Sequence, residues 1–306
     1  MKRIHTIFPL ALAAAALIHG SCSGASEQST TAASADTAEN TYPQITHATK
    51  APMIETDSVH WADTLVIGKC KAKALVQGRY PTAGTTRLVD SVRQWLADNL
   101  SYSMQDTGQQ LFRPTPAELA SGQKLVARSG KALLESARND FEDFDTEGYS
   151  MSYEYSYSFG PIYETDSLLT YSFSGYIYLG GAHGGALGSG QTFAASTGRK
   201  LNDSDIFQPG KEKEVIRLVK DALWQQYFKE GSEEGATLKD ALLINPDTLR
   251  LPQQPPLFCK DGLVFTYQQY EIACYAAGMP SCVLPYSAVR PLLQKEIARL
   301  IVEPSI

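Results

Sequence analysis

The clearest hydrophobic pattern in this chain is a strict alternation over residues 149–159. Apolar or aromatic residues fill the odd positions, which are Tyr149, Met151, Tyr153, Tyr155, Tyr157 and Phe159. Successive side chains of a strand point to opposite faces, so the pattern predicts a half-buried strand with an aromatic inner face. The alternation recurs at residues 169–174, and Gly160-Pro161 and Thr165-Asp166 offer turn chemistry between the two runs. We predict an antiparallel pair that leads into a glycine-rich loop.

Helical spacing of apolar residues indicates several helices elsewhere. Thr115-Pro116-Ala117-Glu118 is a capping box with proline at the first helical position, so it predicts a helix start. The predicted helices cover residues 87–100, 115–141, 211–228 and 287–301, the last capped by Ser287. Short strands are predicted at residues 59–67, 72–76, 191–195 and 282–284, and residues 257–267 are predicted to be strand-like around the turn Asp261-Gly262. Helices and strands in mixed blocks predict an α+β fold with two linked subdomains, in which mixed or antiparallel sheets pack against helices.

The N-terminus has the composition of an export signal, predicted at residues 1–21. Its apolar run is too short to span a bilayer as a helix. Gly20 and Ser21 precede Cys22 as in a lipoprotein processing site, so Cys22 is the predicted lipidation site. The alternative is an ordinary cleaved secretory signal in which Cys22 is incidental. We therefore expect an exported protein that is anchored to a membrane by its N-terminal lipid, in the periplasm or on the cell surface.

The segment after Cys22 is rich in Ser, Thr, Ala and Glu and poor in large apolar residues. Such a composition cannot offset the entropy of ordering, so residues 22–56 are predicted to be a disordered tether. The remaining chain is long enough for two small domains. We place an N-terminal α+β subdomain at residues 57–187 and a C-terminal one at residues 188–306.

The formal charge of the chain is −6, from 27 basic and 33 acidic residues. The sequence has no basic patch, which argues against nucleic acid as a partner. An acidic surface favours basic partners at low salt.

A glycine-rich loop follows the second alternating run and contains one histidine. Its candidate ligand-binding residues are Gly180, Gly181, His183 and Gly184. In one interpretation the loop presents backbone N–H groups and an imidazole to a ligand. In the other, the glycines make a tight crossing and His183 is a packing residue. Tyr267, Tyr270, Glu271 and Tyr275 have the same two interpretations, as a groove for a glycan or peptide or as core and rim.

The residues needed for catalysis are sparse. His183 is the only histidine after residue 60, whereas a catalytic zinc site needs about three protein ligands. No Gly-x-Ser-x-Gly motif surrounds a candidate nucleophile. We therefore expect no catalytic residues, no metal and no cofactor.

Four cysteines follow Cys22, namely Cys70, Cys259, Cys274 and Cys282. An oxidising compartment permits disulfides, and the clustering near the C-terminus favours one bridge among Cys259, Cys274 and Cys282. Four cysteines allow three pairings, between which the sequence does not choose. Cys70 is expected to stay free and buried.

Several segments together resemble one family. They are Gly180-Gly181-Ala182-His183-Gly184, Thr197-Gly198-Arg199-Lys200-Leu201, Asp205-Ile206-Phe207, residues 262–267, Tyr270-Glu271-Ile272-Ala273, Tyr275-Ala276-Ala277-Gly278 and Val283-Leu284-Pro285-Tyr286. This set resembles the extracytoplasmic module shared by RsiV-type anti-sigma factors and PdaC-type peptidoglycan deacetylases, known as domains of unknown function 4163 and 3298. The resemblance implies an α+β module outside the cytoplasm. It also implies a 4163-type first subdomain and a 3298-type second one.

The family assigns different roles to this module. In RsiV it recognises lysozyme, and in PdaC a separate domain, which this chain lacks, carries the catalysis. We therefore expect a non-enzymatic envelope lipoprotein that binds a lysozyme-like protein or a peptidoglycan-derived ligand. The alternatives are a cell-wall hydrolase that uses the His183 loop and a purely structural component of the envelope.

Overall fold

The computed structural model describes residues 53–104, 109–148 and 150–301. The predicted signal, the Cys22 lipidation site and most of the tether lie outside these residues. The last residues of the predicted tether do not: the first strand begins at Ile54, whose side chain is buried. The tether was therefore predicted to end too late.

A five-stranded sheet forms the first half of the fold. Its strands are β1 (Ile54–Ile67), β2 (Cys70–Gly84), β3 (Ser152–Glu164), β4 (Leu168–Tyr178) and β5 (Gly185–Ala194). They lie side by side in sequence order. Only β2 and β3 run parallel, because a long helical crossover joins them. The sheet is therefore mixed.

The crossover consists of α1 (Thr86–Ser101), α2 (Pro116–Leu119) and α3 (Gly122–Glu147). The capping box at Thr115 and Glu118 is confirmed, but the predicted single helix is broken between α2 and α3. The Tyr80 hydroxyl donates a hydrogen bond of 2.6 Å to the Leu119 carbonyl and so diverts it from the helical ladder. At the start of α3 the backbone presses on the same ring, since a Cβ on Gly122 would lie 2.3 Å from Tyr80 Cγ.

The predicted alternation is confirmed in β3. Tyr153, Tyr155, Tyr157 and Phe159 are buried beneath α1 and α3, whereas the even positions Glu154, Ser156 and Ser158 occupy the other face. Burial of the Phe159 side chain alone contributes about 2 kcal/mol. Tyr149 lies outside the described residues.

The predicted turn at Gly160-Pro161 is wrong, because both residues lie inside β3. The register with β4 shifts between Pro161 and Tyr163. Proline has no N–H for the ladder, and a bulge accommodates it within the strand.

The second half of the fold packs short helices around a small antiparallel sheet. The strands are β6 (Leu257–Phe258), β7 (Leu263–Thr266) and β8 (Ser281–Leu284). The helices are α4 (Asp203–Ile206), α5 (Glu212–Leu223), which continues as a π turn over Trp224–Phe228, α6 (Leu238–Ala241), α7 (Tyr286–Val289) and α8 (Lys295–Leu300). Single 3₁₀ turns lie at Pro246–Thr248, Tyr275–Ala277 and Arg290–Leu292.

The predicted final helix from Ser287 to Ile301 is wrong in its start and its continuity. Pro285 occupies the N-cap of α7, and Ser287 lies within the helix. Pro291 falls in the 3₁₀ turn that separates α7 from α8. A proline inside a helix removes a backbone donor, so the helix cannot run through.

The two halves have separate cores that meet at β4 and β5. The predicted boundary between residues 187 and 188 falls inside β5, which pairs with β4 along its whole length. Leu168 of β4 already belongs to the second core. Thr170 and Thr192 bind the backbone of Phe258 in β6 through their hydroxyls, at 2.9 and 3.2 Å. The α+β class with two sheets packed against helices is confirmed.

Candidate aromatic binding site

The glycine-rich segment is the loop of the β4–β5 hairpin. Gly180 and Gly181 have φ values of +80° and +94°, which favour glycine over other residues. Gly184 allows close packing instead, since a Cβ there would lie 2.5 Å from the Tyr176 ring and 2.6 Å from the Ile177 carbonyl oxygen. The glycines therefore shape a tight turn around the tyrosines at the end of β4.

His183 lies at the surface of this loop and joins it to the second half of the fold. Its ring stacks on Tyr275, with the ring centres 3.8 Å apart and the planes inclined by 23°. Its Nδ1 lies 3.0 Å from the Gly184 carbonyl oxygen. These contacts fix the ring plane, so the imidazole is a rigid part of the surface.

Tyr270 extends this surface. Its ring centre lies 5.9 Å from that of Tyr275, and 57% of the residue is exposed. Tyr270 is also the only residue other than glycine, among those described, with a positive φ, at +64°. The Glu271 carboxylate holds this turn, because it accepts hydrogen bonds from the backbone N–H groups of Gln268 and Gln253 at 2.7 and 2.9 Å.

Two tyrosines of β4 complete the cluster. Tyr176 packs on Gly184, and the Tyr178 hydroxyl donates to the Gly181 carbonyl at 3.0 Å. Burial, then the charge of Glu154 and the neighbouring tyrosines, raises the pKa of Tyr176. We call this cluster, consisting of Tyr176, Tyr178, His183, Tyr270 and Tyr275, the aromatic patch.

The remaining residues predicted for the site, Tyr267 and Glu271, support the structure. Tyr267 is 1% exposed, and its hydroxyl donates to the Arg250 carbonyl at 2.7 Å, so it belongs to the core and not to a ligand surface. Glu271 uses both carboxylate oxygens to hold the Tyr270 turn. Sequence reasoning did not include Tyr176 and Tyr178 in the site, although they directly precede the glycine loop.

Gln268 and Gln269 directly precede Tyr270 and attach its turn to the edge strand β5. The Gln268 side chain accepts from Gly188 N–H at 3.1 Å and donates to the Gly188 carbonyl at 2.7 Å. The Gln269 side chain accepts from Ala186 N–H at 2.8 Å. The patch is therefore fixed from both halves of the fold.

Two cavities of the fold lie away from the aromatic patch. A polar cavity of about 390 Å³ lies beside α3, with Gln109, Arg128 and Lys131 in its wall. A second, of about 10 Å³, lies between β5 and β7. No residue of the aromatic patch lines either one.

Metal-ligand side chains do not gather here. In the described part of the chain, no three His, Cys, Asp or Glu residues lie together as a metal site requires. Likewise, no described helix combines the length and the apolar character needed to cross a membrane.

The structure forms no disulfide among Cys259, Cys274 and Cys282. Cys259 follows β6 and Cys282 lies in β8, with β7 between them. Two strand spacings amount to about 9 Å, which exceeds the reach of a disulfide. Cys274 is exposed, and Cys70 is buried as expected.

Residues 204–287 match the family described as "Protein of unknown function (DUF3298)". The fold is similar to the crystal structure of a DUF3298 family member from Bacteroides fragilis, with a TM-score of 0.60 and 20% identity over 81% of this chain and 98% of the other. A DUF3298 family protein from Pseudomonas aeruginosa gives a TM-score of 0.54 and 14% identity, over 80% of this chain and 96% of the other. No match to a curated protein was found.

Residues 204–287 thus match the DUF3298 family, and about four fifths of the chain has a fold similar to that of solved DUF3298 structures. The matched range contains residues 262–286 and so supports the 3298 part of the resemblance there, whereas residues 180–184 lie outside it. At these identities the likeness extends to the fold alone.

Proposed function

We propose that this chain is a non-enzymatic lipoprotein of the cell envelope, and that it binds a macromolecule through the aromatic patch. The observation that carries this proposal is the conformation of Tyr270. A tyrosine at φ +64° is strained by about 1 kcal/mol or more, and yet its ring is largely exposed. Glu271 stabilises the backbone of this turn, so less backbone entropy is lost when the exposed ring makes a contact.

The rest of the patch has the properties of a binding surface. Tyrosine supplies large contact area with few rotatable bonds and is enriched among residues that dominate binding energy. The stacking of His183 on Tyr275 fixes a second contact beside the first. Exposed aromatic side chains such as that of Tyr270 are typical of contact with a protein or a polymer.

The resemblance to the RsiV and PdaC module supports the choice of partner. It suggests a lysozyme-like protein first and a peptidoglycan-derived ligand second. On the same basis we assign the first half of the fold, built on strands β1 to β5, to the 4163 type.

The predicted export signal and Cys22 support the proposed localisation at the cell envelope. We propose that the mature chain is attached to a membrane through a lipid on Cys22, with residues 23–52 as a tether. Replacement of Cys22 by Ser should release the protein into the soluble fraction. Retention of the variant in the membrane fraction would contradict the anchor.

The direct test is binding of the purified protein to c-type lysozyme and to defined peptidoglycan fragments, measured by isothermal titration calorimetry. We expect saturable binding to one of these two ligands. Absence of binding to both would overturn the proposal.

The cell-wall hydrolase considered from the sequence requires proton transfer by His183. Incubation of peptidoglycan with the wild-type protein and with His183→Ala separates the two functions. If the wild type hydrolyses peptidoglycan and the folded His183→Ala variant does not, the protein is a hydrolase and the binding proposal is wrong.

A further inference from the structure

One carboxylate stands beside the aromatic patch on the open face of the large sheet. Glu154 of β3 lies directly opposite Tyr178 of β4, and Ser156 lies opposite Tyr176. Residues directly opposite in an antiparallel pair share a face, so the carboxylate adjoins both tyrosines. The influence of the Glu154 charge on the hydroxyl of Tyr176 agrees with this placement.

This carboxylate is exposed and has no ion pair with any described residue. Lys73 is its cross-strand neighbour in β2 but does not form a salt bridge with it. The other carboxylate near the patch, Glu271, already accepts two backbone hydrogen bonds. Of these two carboxylates, only that of Glu154 has no ion pair or hydrogen bond to a described residue that would compete with a partner's cation.

We propose that Glu154 binds an Arg or Lys side chain of a basic protein that docks on the aromatic patch. This inference rests on the proposed function and specifies the partner's chemistry. A carboxylate beside tyrosine rings offers a cation both a charge-assisted hydrogen bond and contact with a ring face. The overall charge of −6 adds long-range attraction for a basic partner.

The same chemistry disfavours the other class of ligand. A neutral glycan gains nothing from a full negative charge at this position, and an acidic polymer is repelled by it. Dependence of binding on the Glu154 charge therefore separates a basic protein from a cell-wall polymer.

The test compares the wild type with Glu154→Gln, which keeps the shape and removes the charge. The control is Glu135→Gln: Glu135 is 66% exposed in its side chain and lies on α3, which covers the other face of the sheet. The probes are c-type lysozyme, a strongly basic protein, and its succinylated derivative, in which lysine charges are reversed. Affinity is measured at low and at high sodium chloride.

We expect Glu154→Gln to weaken lysozyme binding about five-fold at low salt and to reduce its salt dependence, whereas Glu135→Gln leaves both unchanged. The wild type should lose most of its affinity for succinylated lysozyme. Equal affinity and salt dependence of Glu154→Gln and wild type would overturn the role of Glu154 while the proposed function stands. Binding of the wild type to peptidoglycan fragments alone would overturn it too. Binding to no probe would overturn the proposed function itself.

Discussion

The side chain of Gln268 pairs with Gly188 as a neighbouring strand would, since it accepts from the N–H and donates to the C=O of the same residue. Gly188 lies in β5, the last strand of the large sheet. Gln123 pairs with His60 of β1 in the same way, at 3.4 and 2.8 Å, and Gln226 with Val283 of β8, at 2.8 and 2.9 Å. In each of the edge strands β1, β5 and β8, a glutamine side chain thus binds the N–H and C=O of one residue. These backbone groups are then not available for pairing with a strand of another chain.

The contribution of the Gln226–Val283 pair, called here the Gln226 clamp, can be tested with a matched control, because Gln225 is the exposed neighbour of Gln226 in the same π turn. Replacement of Gln226 by Ala removes two hydrogen bonds to β8 and should lower the free energy of unfolding by about 1–2 kcal/mol. Gln225→Ala removes only a contact with Lys229 and should change it by less than about 0.5 kcal/mol. Urea denaturation of both variants checks this. Equal stability of the two would contradict a role for the clamp.

A second prediction concerns the packing of the glycine loop. In Gly184→Ala the new methyl group would collide with the Tyr176 ring and the Ile177 carbonyl, so the loop must move and the patch is distorted. We expect weaker ligand binding and a lower melting temperature.

Gly181→Ala is the control for this variant. Unlike Gly184, Gly181 has a positive φ, at +94°, which is unfavourable for alanine, but nothing lies within 4 Å of the added Cβ. It should cost about 1 kcal/mol of stability through strain while the aromatic patch keeps its shape. Loss of ligand binding in Gly181→Ala but not in Gly184→Ala would contradict the packing argument.

A third prediction is a pH dependence that originates at Asp203. Burial, and then the nearby charge of Glu212, raises the pKa of Asp203 to about 6. Its Oδ1 has no hydrogen-bond partner within the described structure. The folded protein therefore binds this proton more tightly than the unfolded chain does. The resulting stabilisation is complete below about pH 4 and is lost as the pH rises through about 6.

Asp203→Asn should accordingly raise the free energy of unfolding at pH 7.5 by about 1 kcal/mol, with allowance for solvent screening of this partly exposed group. Asp221→Asn, at an exposed position of α5, is the control. Denaturation between pH 4 and 7.5 measures both. A gain that is as large at pH 4 as at pH 7.5 would rule out titration of Asp203 as its cause.

A fourth prediction concerns the cysteines. Burial raises the pKa of the Cys282 thiol to about 12, and burial together with the charge of Asp261 does the same for Cys259. In the native protein, iodoacetamide at pH 8 should therefore modify Cys274, which is exposed, well before the other two. Peptide mapping by mass spectrometry checks this. A disulfide-linked peptide that joins Cys259 to Cys282 would contradict the strand arrangement.

Local patterns in the sequence predicted the elements whose formation depends on local chemistry. The alternation at residues 153–159 identified β3 and its buried face, because one side of that strand faces a core. The spacing at residues 87–100 identified α1 to within one residue at each end. In contrast, the break between α2 and α3 depends on Tyr80, about forty positions earlier, and leaves no local pattern.

The candidate site was predicted only in part for the same reason. The glycine loop and Tyr270 were identified from the sequence. The sequence could not show that Tyr267 is buried or that Glu271 binds the backbone, because burial and hydrogen-bond partners depend on tertiary structure. The pairing of Gln268 with Gly188 joins residues 80 positions apart and has no periodic signal. Similarly, the stacking of His183 on Tyr275 requires the two halves of the fold to be assembled.

The most direct test of the account is the affinity of patch variants for the ligand identified by calorimetry. Tyr270→Ala and Tyr275→Ala should each weaken binding at least about ten-fold, which corresponds to about 1.4 kcal/mol. Tyr102→Ala, at a position 41% exposed outside the patch, should bind as the wild type does. Unchanged affinity of both patch variants, in protein that remains folded, would contradict the claim that this chain works through its aromatic patch.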